Sequence, residues 1–503
     1  MSQVSRQSLV FFLGTIFTTV ASYLFKIYVA RKLGAERLGI YAIGLSVTGF
    51  LGLFPALGLP DAAARFVAVY NASGRARQLR GFLLRSLQLV IAANLVVGAA
   101  IFLGRHWIAD RIYHLPELSA YLPLFVLLMF CGGVSIFLGR VLAGYKDVTR
   151  RTVITNFLGT PLMMLLAVAF LMGGAGLRGY IVAQVIGAIV VLLTLLWSAW
   201  KLTPAAVRRS TSSLTALEPE VYSFSATVLG VSLLEFFMAQ TDKLLLGLYL
   251  DPRWVGIYAI AIGIVAFVPI ILQSVNQIFG PTIADLHARG ETQVLDRLYK
   301  ALTKWITGLT MPLALVIILF SAPLMRIFGA EFEIGWPILV IGTIGQLVNC
   351  AVGSVGLLLL MSGNQRRLFR VQASMAAVAI LSNIILIPLL GMIGAALAST
   401  LVAVGTNLWY MREVRSALHT HPFHRGYAGL LLPILASFSC VLVFRIGLQR
   451  FQPQWALILL ALVSAYLVFV ITALACGMET EEREIAGAAW LRIRGMIFRT
   501  VNA

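Results

Sequence analysis

Charge is what this 503-residue sequence has least of. Asp, Glu, Lys and Arg together make up 12% of it, while 60% is hydrophobic and the mean hydropathy is +0.91. An ordinary water-soluble protein carries roughly 25% charged residues, so that class is excluded. Cysteine is scarce as well: Cys131, Cys350, Cys440 and Cys476 stand singly inside apolar stretches. No spacing among them supports a disulfide framework or a zinc site, and they read as small core residues. No phosphate-cradling Walker loop is present, which argues against direct ATP hydrolysis. Acid is scarcer than base, 20 residues against 39, for a net charge of +19. There is no soluble basic domain to read nucleic acid, so the excess charge becomes a question of which membrane side it faces.

Apolar runs are what the chain has in quantity. At about 1.5 Å per residue, some 20 apolar residues cross a hydrocarbon core about 30 Å thick. By that measure the spans fall at about 9–30, 40–59, 82–104, 120–143, 153–172, 177–200, 222–249, 255–279, 305–328, 335–361, 369–390, 391–411, 428–448 and 455–476. The expected fold is an all-α polytopic membrane protein of about fourteen helices. The first run is too long for a signal peptide and lacks a small-residue cleavage site, so it reads as a retained span. Arg65, Arg75, Arg77, Arg80, Arg85, Arg140, Lys146, Arg150, Arg151, Arg366, Arg367 and Arg370 gather at one set of span ends. The positive-inside rule assigns those ends, and both termini, to the cytoplasm. Loops on the other side are short and leave no room for a catalytic domain.

The chain repeats itself. Gly39-Ile40-Tyr41-Ala42-Ile43 returns 217 residues later as Gly256-Ile257-Tyr258-Ala259-Ile260. Gly176-x-x-Gly179-x-x-x-Ala183 is answered by Gly391-x-x-Gly394-x-x-x-Ala398 at an offset of 215. The first offset sets Thr15 opposite Ser232 and Lys26 opposite Lys243. Six spans precede the second copy, an even number, so the copies enter the membrane with the same orientation as parallel repeats. The organisation read from this is an N-lobe at 1–200, a polar linker at 201–221 and a C-lobe at 222–411. Two further helices at 412–476 and an amphipathic cytoplasmic tail at 477–503, laid on anionic lipid, complete it. Pro55, Pro161, Pro269, Pro312 and Pro388 mark sites in or beside spans where a missing backbone donor allows bending.

Ala30-Arg31-Lys32-Leu33-Gly34 running into Gly39-Ile40-Tyr41-Ala42, Leu57-Gly58-Leu59 with Arg65-Phe66, Asp242-Lys243-Leu244-Leu245-Leu246-Gly247, Pro281, and Ile387-Pro388 leading to Gly391-x-x-Gly394 together resemble the polysaccharide-transporter branch of the multidrug/oligosaccharidyl-lipid/polysaccharide exporter superfamily. The resemblance covers nearly the whole chain. It implies a V-shaped, two-lobed transporter that flips a polyprenyl-diphosphate-linked oligosaccharide from the cytoplasmic to the outer leaflet. It further implies a bacterial inner membrane, a cell-surface polysaccharide pathway (O-antigen, capsule or exopolysaccharide), and no enzymatic activity or cofactor. Two alternatives stay open: a multidrug or toxin cation antiporter of the same superfamily, and a membrane-embedded polysaccharide polymerase or assembly scaffold.

Intramembrane polar groups are costly and face a bundle interior or a watery cavity. Thr15, Thr19, Ser22 and Lys26 share one face of the first span; Ser232, Glu235 and Asp242 follow helical spacing in the seventh. These stripes are expected to line the cleft. For a diphosphate cargo the cationic candidates are Lys26 and Lys243, joined by Arg65, Arg85 and Arg140 at cytoplasmic span ends. The plain alternatives are snorkelling lysines and topological arginines. Asp242 and Glu235 are candidates for coupling to H+ or Na+. Further partners are membrane lipids and polysaccharide polymerase or assembly proteins. Gly174-x-Gly176-x-x-Gly179 mimics a dinucleotide fingerprint but follows no strand, and reads as a tight turn.

Overall fold

The computed structural model describes residues 2–209, 217–447 and 454–476, with side chains from Ala21 onward except at Arg425. The tail expected at 477–503 and part of the linker, 210–216, lie outside the described residues. Among the described residues there is helix and no strand. The first half holds α1 (Ser2–Leu51), α2 (Leu59–Ala72), α3 (Ala76–Leu103), α4 (Leu118–Gly144), α5 (Val148–Met172), α6 (Gly176–Leu202) and α7 (Pro219–Tyr249). The second holds α8 (Pro252–Val265), α9 (Ile270–Ala288), α10 (Thr292–Leu319), α11 (Trp336–Val352), α12 (Val355–Met361), α13 (Gln365–Leu418), α14 (Leu431–Gly447) and α15 (Gln454–Ala475).

Eleven described helices are long and apolar enough to cross a membrane. Counting α8 and α9 as one span, bent by 52° beside Pro269, makes twelve. Two of the eleven are of double length, Ala21–Ala72 with 52 residues and Gln365–Leu418 with 54. Each would run about 80 Å if straight, far beyond a single crossing. Each is broken instead at a glycine whose φ suits no L side chain, Gly34 at 78° and Gly391 at 60°. Dividing both gives the fourteen spans expected. The Gly174 region is the tight turn between α5 and α6.

The chain forms two compact units. One runs from Leu13 to Gly256; the other begins at Ile257 and takes in the start of α1, to Phe12. The helix α7 therefore packs with the first unit. The core of that unit gathers Phe66, Val67 and Tyr70 of α2, Phe82 of α3, Phe137 and Leu142 of α4, Leu195 of α6 and Val221 of α7. In the second unit α14 and α15 brace α10 through both apolar packing and backbone capture. Val316 and Phe320 pack on Val441, Leu457 and Ala461. Tyr466 donates to the Leu309 carbonyl at 2.9 Å and Arg445 Nε to the Leu319 carbonyl at 3.1 Å. The break between α11 and α12 frees carbonyls that lipid cannot satisfy. Tyr299 donates to Val352 O at 2.8 Å and Tyr427 to Ala351 O at 3.3 Å.

Candidate functional site

The site grows from a turn. After α1, Leu57 and Gly58 adopt left-handed backbone, φ 52° and 67°, and Pro60 then starts α2 in the first-turn position that needs no amide donor. Gly58 is required twice over. A Cβ there would sit in a disfavoured conformation, and would fall 2.0 Å from the Ser225 carbonyl oxygen of α7. This turn places Asp61 in the first turn of α2, where it accepts from Arg140 Nη2 of α4 at 2.9 Å. The two side chains are 42% and 41% exposed, so the pair is accessible.

Asp61 and Arg140 line a cleft of about 400 Å³ within the first unit. Its walls are aliphatic, with Leu45 from α1, Leu128, Met129 and Ile136 from α4, and Val228 and Leu229 from α7. Gly49, Gly52, Gly132 and Gly133 keep parts of the wall to backbone, and Ser232 contributes a hydroxyl. Beside it, Arg65 is committed to Glu220 of α7 at 2.8 Å, with its guanidinium 5.3 Å from the Phe66 ring and 4.9 Å from the Phe224 ring. Tyr70 donates to Glu218 at 2.8 Å, so two bonds tie the start of α7 to α2.

The twin lysines belong to the same unit. Lys26 is exposed, its ammonium 5.4 Å from the Tyr23 ring centroid. Lys243 is partly buried and donates to Gln240 Oε1 at 2.9 Å. The positive charge of Lys243 is felt at Lys26. Asp242 is buried, at 6% exposure, and its Oδ1 accepts the Lys243 backbone amide at 2.7 Å.

Of the residues singled out in the sequence, Arg140 and Ser232 share one cleft, and Lys26 and Lys243 share one unit. Arg65 is engaged by Glu220 instead, and Glu235 stands exposed on α7. Arg85 is partly buried on α3 with its Nε lacking a hydrogen-bond partner among the described residues. Ser22 is partly buried on α1. The side chains of Thr15 and Thr19 lie outside those described. Asp61, Glu218, Glu220 and Gln240 escaped sequence reasoning. For Asp61 a signal existed: an acid directly after Gly-Leu-Pro marks the first turn of a helix, where the macrodipole favours it.

The family model described as polysaccharide biosynthesis protein matches residues 4–287, more than half of the chain. The chain belongs to that family. Among curated proteins, those to which the chain is similar include the probable flippase AglR of Haloferax volcanii, 24% identical over 434 residues, covering 84% of this chain and 86% of the relative. The probable low-salt glycan biosynthesis flippase Agl15 of the same organism is 24% identical over 420 residues, covering 80% and 82%. Among solved structures, the lipid II flippase MurJ in an inward closed conformation aligns with a TM-score of 0.74 at 15% identity, over 92% of this chain and 98% of that one. An inward-facing multidrug resistance transporter of the MATE family and MOP superfamily aligns at 0.63 and 16% identity, over 80% and 95%. The chain therefore has the helical fold of these transporters and is a multi-pass membrane protein.

Proposed function

We propose that this polysaccharide biosynthesis protein is a flippase. It carries a polyprenyl-diphosphate-linked oligosaccharide from the cytoplasmic to the outer leaflet by alternating access between two parallel repeats, and it transports its cargo without transforming it. The observation that supports this reading is that the repeat-equivalent Lys26 and Lys243 fall in one compact unit, with the charge of Lys243 felt at Lys26. Two like charges held near each other in a low-dielectric setting repel, and an anion placed between them relieves that repulsion. A diphosphate is suited to the role because it offers several charged oxygens to two ammonium groups. An organic-cation antiporter would gain nothing from such a pair. The flippase names of the two Haloferax volcanii relatives and the glycan pathway named by the family agree with this assignment.

The membrane is the cytoplasmic one, and the distribution of arginine and lysine supports placing both termini on the cytoplasmic side. Asp242, buried beside Lys243, is the first candidate for coupling to H+ or Na+; Glu235, exposed on the same helix, is the second. Arg85 and Arg140 supply further positive charge for the head group. Polymerase and assembly proteins are the expected partners downstream.

The test is flipping of a fluorescent polyprenyl-diphosphate oligosaccharide in proteoliposomes, with and without an imposed ion gradient. Wild-type protein is expected to move the lipid, and Lys26→Ala to slow it strongly. If well-folded wild-type protein moves no such lipid under any gradient, the assignment fails.

A further inference from the structure

The cleft of the first unit is an apolar groove with one ion pair. Among the described residues that line it, Asp61 and Arg140 carry the charge, while Leu45, Leu53, Leu128, Met129 and Ile136 form aliphatic wall. At about 400 Å³ it falls within the roughly 300–1,000 Å³ of small-ligand pockets. Its chemistry is amphipathic, matching a ligand with an anionic head and a hydrocarbon tail. The anion-binding group is already engaged: Asp61 Oδ1 lies 2.9 Å from Arg140 Nη2. Yet both side chains are about two-fifths exposed, and an ion pair at such exposure is weakly held. It can exchange.

We propose that Asp61 is a built-in competitor for the cargo's phosphate, a positioning residue that holds Arg140 until a prenyl diphosphate displaces it. This rests on the flippase reading and goes beyond it by assigning the prenyl-phosphate end of the lipid to this cleft. The phosphate takes the place of the Asp61 carboxylate on Arg140, and the first isoprene units lie along the aliphatic wall. The cargo's diphosphate, with one charge on each of its two esterified phosphates and acceptor oxygens on both, outcompetes a single carboxylate for a guanidinium. Once the lipid faces the outer leaflet, Asp61 recaptures Arg140 and favours release.

The test uses the full chain in nanodiscs, with farnesyl diphosphate and farnesoic acid as probes and binding measured by calorimetry. Wild-type protein is expected to bind the diphosphate and to discriminate against the acid. Asp61→Asn removes the competitor and keeps the shape. It should bind farnesyl diphosphate more tightly by up to about fivefold, the limit set by an exposed pair, and tighten on the acid by the same factor. Arg140→Gln should lose both. A second variant guards against misfolding: the space beside Gly132 holds no atom within 4 Å of an added Cβ, so Gly132→Leu can be accommodated while its side chain fills the cleft. It should bind neither probe. Unchanged or weaker diphosphate binding by folded Asp61→Asn, undiminished binding by Gly132→Leu, or no binding by wild type would each overturn the proposal. Flipping of the oligosaccharide lipid, measured separately, reports on the flippase reading: transport intact with these binding results absent sinks the cleft assignment alone.

Discussion

Replacing Gly58 by alanine should loosen α7 from the first unit, and the size of the effect can be worked out from two separate costs. The residue sits at φ 67°, where an L side chain is strained by about 1–2 kcal/mol. Its new Cβ would also lie 2.0 Å from Ser225 O and 3.0 Å from Ser225 Cα, both backbone atoms of α7 that cannot rotate away. Overpacking of this kind costs about 1–3 kcal/mol more. The matched control is Gly74→Ala. Gly74 has nearly the same φ, 65°, but nothing lies within 4 Å of its added Cβ, so only the strain cost applies. The difference between the two variants, about 1–3 kcal/mol, isolates the steric contact. In a body of this size it corresponds to roughly 2–12 °C in Tm, measured by intrinsic fluorescence in nanodiscs. A second readout follows from where the clash falls. Displacement of α7 should break the Arg65–Glu220 and Tyr70–Glu218 contacts, so any coupling between Arg65 and Glu220 should vanish in the Gly58→Ala background. If Gly58→Ala melts no lower than Gly74→Ala, the close approach of the turn to α7 does not exist as described.

The remaining predictions are smaller in scope. Lys26→Ala should slow lipid flipping about 10-fold to 100-fold, the worth of a charge-assisted contact of about 1.5–3 kcal/mol, and Lys26→Arg should restore part of it; equal rates for wild type and Lys26→Ala would remove the lysine from the transport path. A double-mutant cycle on Arg65 and Glu220, whose side chains are 49% and 63% exposed, should give a coupling of only about 0.2–1 kcal/mol that shrinks with salt, and a larger, salt-insensitive value would contradict that exposure. Arg445→Met keeps most of the apolar stem of the side chain but leaves Leu319 O without its donor, and should destabilise the second unit by about 1–3 kcal/mol, read as earlier proteolysis between α14 and α15.

The spans could be read from the sequence because lipid imposes a length and a composition on every crossing, and both are written locally. Even the hinges carried local marks, Pro269 at the bend between α8 and α9 and Gly391 inside α13. Pairings across the fold carried none. Asp61 and Arg140 are 79 positions apart, and nothing in either neighbourhood names the other. Glu218 and Glu220 sit in a linker that reads as polar and unstructured, yet they fasten α7 to α2 because the chain returns there after six helices. Lys26 and Lys243 were paired by the repeat as equivalents, which fixes their kinship but not their distance.

The repeat motif itself shows how much further the structure goes. In sequence, Gly39 and Gly256 are only the first letters of two copies of the same five residues. In the fold, a Cβ on Gly39 would fall 1.7 Å from the Pro252 carbonyl oxygen, and one on Gly256 would fall 2.0 Å from the Ala35 carbonyl oxygen and 2.9 Å from the Gly39 amide nitrogen. The twin glycines are pressed against each other's chain, each removing the side chain that would hold the other copy away. Glycine at one copy is of no use to this crossing without glycine at the other, since a single Cβ on either side already collides with backbone. The expected signature is therefore non-additive. Gly39→Ala and Gly256→Ala should each destabilise the protein by about 1–3 kcal/mol, and the double variant by clearly less than the sum, because the first substitution already forces the crossing apart. Strict additivity of the two melting shifts would mean that the glycines act independently, and that their repetition records common ancestry of the two halves without a shared contact.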